Sequence, residues 1–86
     1  AAGAQVLLIA VPRPSAAAAA FGALDDHPLY GQLAEDQGLP LLRQAWAEVL
    51  GDAALRSDAI HANAAGYAEF ARRLIAQLRV VGWLPR

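Results

Sequence analysis

Gln5-Val6-Leu7-Leu8-Ile9-Ala10-Val11 is a continuous apolar run that stops at Pro12. Its length and its mix of β-branched residues and Leu predict a strand buried on both faces, as in a parallel sheet. Working outward, Pro12-Arg13-Pro14-Ser15 can neither extend a strand nor start a helix cleanly, so it reads as a loop. Residues 16–24 are low in complexity and fit either a short helix or a surface excursion. Pro28 then stands where a first helical turn tolerates proline, with Asp25 and Asp26 just ahead to favour the positive helix end. Leu29, Leu33, Ala34 and Gln37 keep helical spacing, and Gly38 supplies a left-handed stop. Leu39-Pro40-Leu41-Leu42 predicts the next strand, with its proline near the start. Strand, helix and strand thus succeed one another over about 33 residues, the size of a βαβ crossover. The expected architecture is a parallel α/β sheet.

Trp46, Val49 and Leu50 mark a further helix ending near Gly51. The last helix is the clearest element. Asn63 can cap it, and Tyr67, Phe70, Ala71, Leu74, Leu78 and Val81 fall on one apolar stripe. Glu69, Arg72, Arg73 and Arg79 occupy the other side, with Glu69 one turn ahead of Arg73. Gly82 and Pro85 end the helix. The stripe predicts packing on a sheet, and the charged side a solvated face.

With 86 residues and 9.0 kDa, the chain has room for one small domain. The 57% hydrophobic content overstates the core, because 22 residues are Ala. A net charge of -1 with plentiful aliphatic residues argues against intrinsic disorder. The same scattered charge leaves no electrostatic footprint for nucleic acid or an anionic membrane. Residues 6–11 and 16–24, the longest apolar stretches, fall short of the roughly 20 needed to cross a bilayer, so no integral membrane segment is expected. Without Cys there is no disulfide framework and no thiolate metal site. The chain also has no Met and no basic leader ahead of Val6. The expectation is a piece of a longer protein, with Ala1 made by processing, cleavage or trimming.

Ser57-Asp58-Ala59-Ile60-His61-Ala62-Asn63-Ala64-Ala65-Gly66-Tyr67 carries the most chemistry. Asp58 and His61 are three residues apart, just ahead of the last helix. In a turn, that spacing lets the carboxylate reach Nδ1 of the imidazole. The contact fixes the tautomer and leaves Nε2 to accept a proton from a nucleophile. The pair alone is a weak signal, since five Asp and two His produce one readily by chance. It describes an Asp in a turn and a His near a helix start equally well.

Other candidates are fewer. His27 follows Asp25 and Asp26, but the two His lack the spacing of metal ligands. Trp46 and Trp83 stand at positions suited to packing. The 12–15 loop follows the carboxyl end of a strand, where open α/β sheets bind ligands, and is a candidate pocket wall. No Gly-rich phosphate loop occurs.

The block Ser-Asp-x-Ile-His-x-Asn-Ala-x-Gly-Tyr, set directly before a terminal amphipathic helix, resembles the last conserved block of the SGNH hydrolases, also called GDSL-like lipases and esterases. Residues 6–12 look like that family's penultimate strand, and residues 30–42, LYGQLAEDQGLPLL with the preceding Leu, like its helix leading to the final strand. The resemblance spans nearly the whole chain and corresponds to the C-terminal half of one family domain. It implies a flavodoxin-like three-layer α/β/α sandwich with a parallel sheet. It also implies a serine esterase acting on small carboxylic esters with short or aromatic groups, without metal or organic cofactor. His61 would be the general base and then the general acid, and Asp58 would orient it. Asn63 would act as helix cap and loop brace, and Gly66 would allow close approach of the last helix.

Two departures stand out. The family often has Pro directly after the His, where this chain has Ala62. The Gly-Asp-Ser nucleophile block and the blocks that build the oxyanion hole are absent, and neither Ser15 nor Ser57 sits in a nucleophile turn. A base without its nucleophile cannot perform acyl transfer by this mechanism. The expected partner is therefore a second polypeptide carrying the N-terminal half with the catalytic Ser. The alternative is a non-catalytic α/β module for interaction or assembly, in which Asp58 and His61 have no chemical role.

Overall fold

The computed structural model describes residues 4–13, 15–58 and 60–85. The expectations attached to Ala1, to Pro14 in the proline loop and to Ala59 between Asp58 and His61 lie outside the described residues. The first apolar run pairs in parallel with the 39–42 segment, through β1 (Leu8–Ile9) and β2 (Leu41–Leu42). Leu8 lies opposite Leu41 and Ile9 opposite Leu42. The Leu8 N–H donates to the Pro40 carbonyl at 3.0 Å, and the Ala10 N–H to that of Leu42 at 3.1 Å. This ladder is much shorter than the apolar run, and two residues explain why. Pro40 has no N–H to contribute at one end. At the other, Gln44 takes a left-handed φ of 61° that turns the chain straight into the next helix. Val6 and Val11, at the two ends of the run, are consequently about half exposed.

Between the strands lie α1 (Ala16–Ala20) and α2 (Pro28–Gln37). The alanine-rich segment is thus a short helix, begun by Ser15 Oγ accepting the Ala18 N–H at 3.0 Å. Helix α2 starts at Pro28 and stops at Gly38, whose φ is 64°. Beyond it, the Leu39 N–H returns to the Ala34 carbonyl at 2.9 Å. The helix cap is His27, whose Nδ1 accepts the Leu29 N–H at 3.1 Å, rather than the acidic pair before it. Asp25 and Asp26 reach across the fold instead. Asp26 Oδ2 accepts the Gln44 N–H at 2.8 Å, and Asp25 Oδ1 accepts Gln44 Nε2 at 2.5 Å. The two carboxylates therefore hold the left-handed turn that follows β2.

After β2 come α3 (Ala45–Leu50), a 3-10 turn (Ala53–Leu55) and α4 (Ala64–Val80). Helix α4 packs chiefly on α3 and the 3-10 turn. Its link to the sheet is a Gln77 Nε2 hydrogen bond to the Leu41 carbonyl at 3.4 Å. The stripe on α4 predicts a sheet as its partner, but two-residue strands offer less apolar area than Trp46 of α3. That indole stacks on Phe70 with centroids 3.8 Å apart and planes 9° from parallel, and meets Tyr67 edge-on at 5.9 Å. On the charged side, Arg73 binds Glu69 of its own helix at 2.9 Å and also Glu48 of α3, so that side is joined to a neighbour rather than simply solvated.

The buried core is mostly small: Ala10, Ala34, Ala45, Ala47 and Ala62, with Leu42 and Val49. Phe21, Leu29 and Val80 stand in water. The chain extends 41 × 27 × 17 Å with a radius of gyration of 13.8 Å. A compact domain of this length would measure about 12 Å. The result is a thin, mixed α/β slab built on a parallel crossover.

Candidate active site

The segment between the 3-10 turn and α4 folds back on the carbonyl of His61. The Ser57 N–H donates to it at 2.9 Å, Ser57 Oγ at 3.2 Å and the Asp58 N–H at 3.4 Å. This closure brings the Asp58 side chain under the following residues. Its Oδ1 accepts the N–H groups of Ile60 and His61, each at 2.8 Å. The imidazole then lies across the carboxylate, with Nδ1 3.0 Å from Oδ1 and 2.9 Å from Oδ2. An ionised carboxylate only accepts, so Nδ1 carries a proton, and in the neutral ring Nε2 presents its lone pair. Among the described residues Nε2 has no hydrogen-bond partner. The His61 and Asp58 side chains are 60% and 56% exposed. The Ile60 N–H, then the imidazole and the His61 N–H, hold the Asp58 carboxyl below the usual carboxylate range.

Asn63 anchors this loop to the helix. Its Oδ1 accepts the Gly66 N–H at 2.9 Å, and its Nδ2 donates to the Ala54 carbonyl at 2.9 Å. Its own N–H donates to the Leu55 carbonyl at 3.0 Å. One side chain thus caps α4 and fastens it to the 3-10 turn. Gly66 is the point of closest approach. A Cβ there would land on the Leu55 carbonyl oxygen and lie 2.9 Å from the Ala62 methyl. Ala62, where a proline is common in the resembling family, is buried at 7% exposure.

The structure therefore brings Asp58 and His61 together and sets Asn63 and Gly66 beneath them. Among the described residues it does not bring a hydroxyl to the imidazole. Ser15 Oγ caps α1, and Ser57 Oγ binds the His61 carbonyl rather than the ring. His27 serves as the α2 cap, and no group of three or more His, Asp or Glu among the described residues could hold a metal ion. Among the described residues no helix is long and apolar enough to cross a membrane.

Ile60 and Ala62, the near neighbours of His61, line an apolar hollow of about 220 Å³ together with Val11, Pro12, Trp46 and Tyr67. The proline loop does border this hollow, through Pro12, while His61 itself is not among the residues that line it. Ile60 and Tyr67 belong to the 57–67 block, which assigns them no functional role, and both line the hollow. The available signal was an Ile set in an otherwise polar loop, and an aromatic residue at the exposed start of an apolar stripe. No protein-family model matches the chain, and neither does a curated protein or a solved structure.

Proposed function

We propose that this chain supplies the acid–base pair of a serine ester hydrolase of the SGNH type. The observation that carries the reading is the two-oxygen contact of Asp58 with His61 Nδ1, which leaves Nε2 without a partner among the described residues. In the proposed reaction His61 Nε2 takes the proton of a serine hydroxyl as its oxygen attacks the ester carbonyl. The same nitrogen then delivers that proton to the leaving alkoxide, while Asp58 stays ionised and stabilises the imidazolium. The serine and the oxyanion donors belong, on this reading, to a second polypeptide carrying the N-terminal half of the domain. Small carboxylic esters are the substrates.

Three features support the assignment. The Ser57–Tyr67 block resembles the family's last block in both letters and placement before a terminal helix. The parallel crossover of β1 and β2 fits two strands of a larger doubly wound sheet. The 17 Å thickness and the exposed Phe21, Leu29 and Val80 fit a slab that further strands and helices would cover to complete a three-layer α/β/α sandwich. The test is ester hydrolysis by the natively purified species that contains this chain. His61→Ala is expected to lower turnover by roughly a thousandfold or more. Unchanged hydrolysis would refute the assignment.

One observation favours a second reading. The Asp58 carboxylate also accepts two backbone N–H groups, as an acidic side chain does when it braces a turn. In a non-catalytic interaction or assembly module the imidazole would be part of that brace alone, and His61→Ala would affect stability without touching any hydrolysis.

A further inference from the structure

The hollow lined by Ile60 and Ala62, the residues on either side of His61 in sequence, does not end at Ile60. A second apolar cavity of about 190 Å³ lies on the other side, reaching Leu24 and rimmed by Arg13 and Ser15. The two share four residues: Val11, Pro12, Leu50 and Ile60. Of these, Pro12 is buried and Leu50 half-buried, whereas Val11 and Ile60 are 46% and 65% exposed. Each lobe exceeds the roughly 150 Å³ that accommodates a benzene-sized group.

Ile60 is not free to drift. Its N–H binds the Oδ1 of Asp58, the oxygen that also takes the His61 N–H and contacts Nδ1. The carboxylate that orients the imidazole therefore also holds the Ile60 backbone, whose side chain lines both lobes.

We propose that Ile60 is the specificity-determining residue of this site, confining the apolar group of the ester to the lobe lined by Trp46 and Tyr67 and closing off the lobe that reaches Leu24. This rests on the hydrolase reading above. Shortening Ile60 joins the lobes and admits longer chains, and enlarging it narrows the near lobe.

The experiment compares p-nitrophenyl butyrate with p-nitrophenyl decanoate for the acyl side, and butyl acetate with decyl acetate for the alcohol side. The natively purified species is assayed as wild type, Ile60→Ala, Ile60→Phe and His61→Ala. In one of the two series Ile60→Ala is expected to raise the long-to-short ratio of kcat/KM by about tenfold, the low end of what a single methylene in an apolar pocket decides. Ile60→Phe is expected to lower it, and the series that responds identifies which half of the ester lies in the trough. Activity that depends on His61 but shows the same ratios in every Ile60 variant would overturn this proposal and leave the hydrolase reading standing. Hydrolysis that is absent, or indifferent to His61→Ala, would overturn both.

Discussion

Asp58 concentrates more of the site than any other residue. Its two oxygens meet the Ile60 N–H, the His61 N–H and the His61 imidazole, and each of these favours the ionised carboxylate. Because its folded pKa is lowered, this bracing is complete above the ordinary carboxylate value of about 3.9 and is lost as pH falls through the lower folded value. The amide proton shifts of Ile60 and His61 are accordingly expected to titrate together, with a midpoint below that of an ordinary aspartate. NMR titration from pH 6 to 2 checks this, and a midpoint at or above the ordinary value would mean that the contacts do not form in solution. The three-residue spacing made the Asp58–His61 contact legible in the sequence. The two backbone donors were not legible, because they depend on how the 57–61 turn closes on the His61 carbonyl.

Among elements, the joint between α4 and the 3-10 turn positions the pair. Asn63 as cap, the stop at Gly82 with its φ of 83°, and the Glu69–Arg73 bond could all be read from residue type and spacing. The partner of α4 could not. An apolar stripe announces that a face is buried, not against what, and the Trp46–Phe70 stack with the Arg73–Glu48 ion pair settles it in favour of α3. Gly66 carries the sharpest prediction here. Helix propensity alone would favour Ala at that position by about 1 kcal/mol. The Leu55 carbonyl occupies the space a methyl group needs, so Gly66→Ala is expected to destabilise by about 1–3 kcal/mol, with thermal denaturation of the native species as the readout. A neutral or stabilising effect would show that α4 does not approach the turn this closely.

For the molecule as a whole, the parallel crossover was legible from two apolar segments separated by one capped helix. The extent of the sheet was not, because Pro40 and the left-handed Gln44 limit β2 whatever the length of the apolar run opposite. The buried side chains are mostly alanines, while large apolar groups such as Phe21 and Val80 face water. On the proposed hydrolase reading, further strands and helices of another polypeptide would cover those groups. Fluorophosphonate treatment of the native species, followed by intact mass of each component, tests this most directly when wild type and His61→Ala are compared. The account predicts one adduct on a serine of a second polypeptide, none on the 9.0 kDa chain, and loss of labelling in His61→Ala. Labelling that survives His61→Ala, or an adduct on Ser15 or Ser57 of this chain, would contradict it.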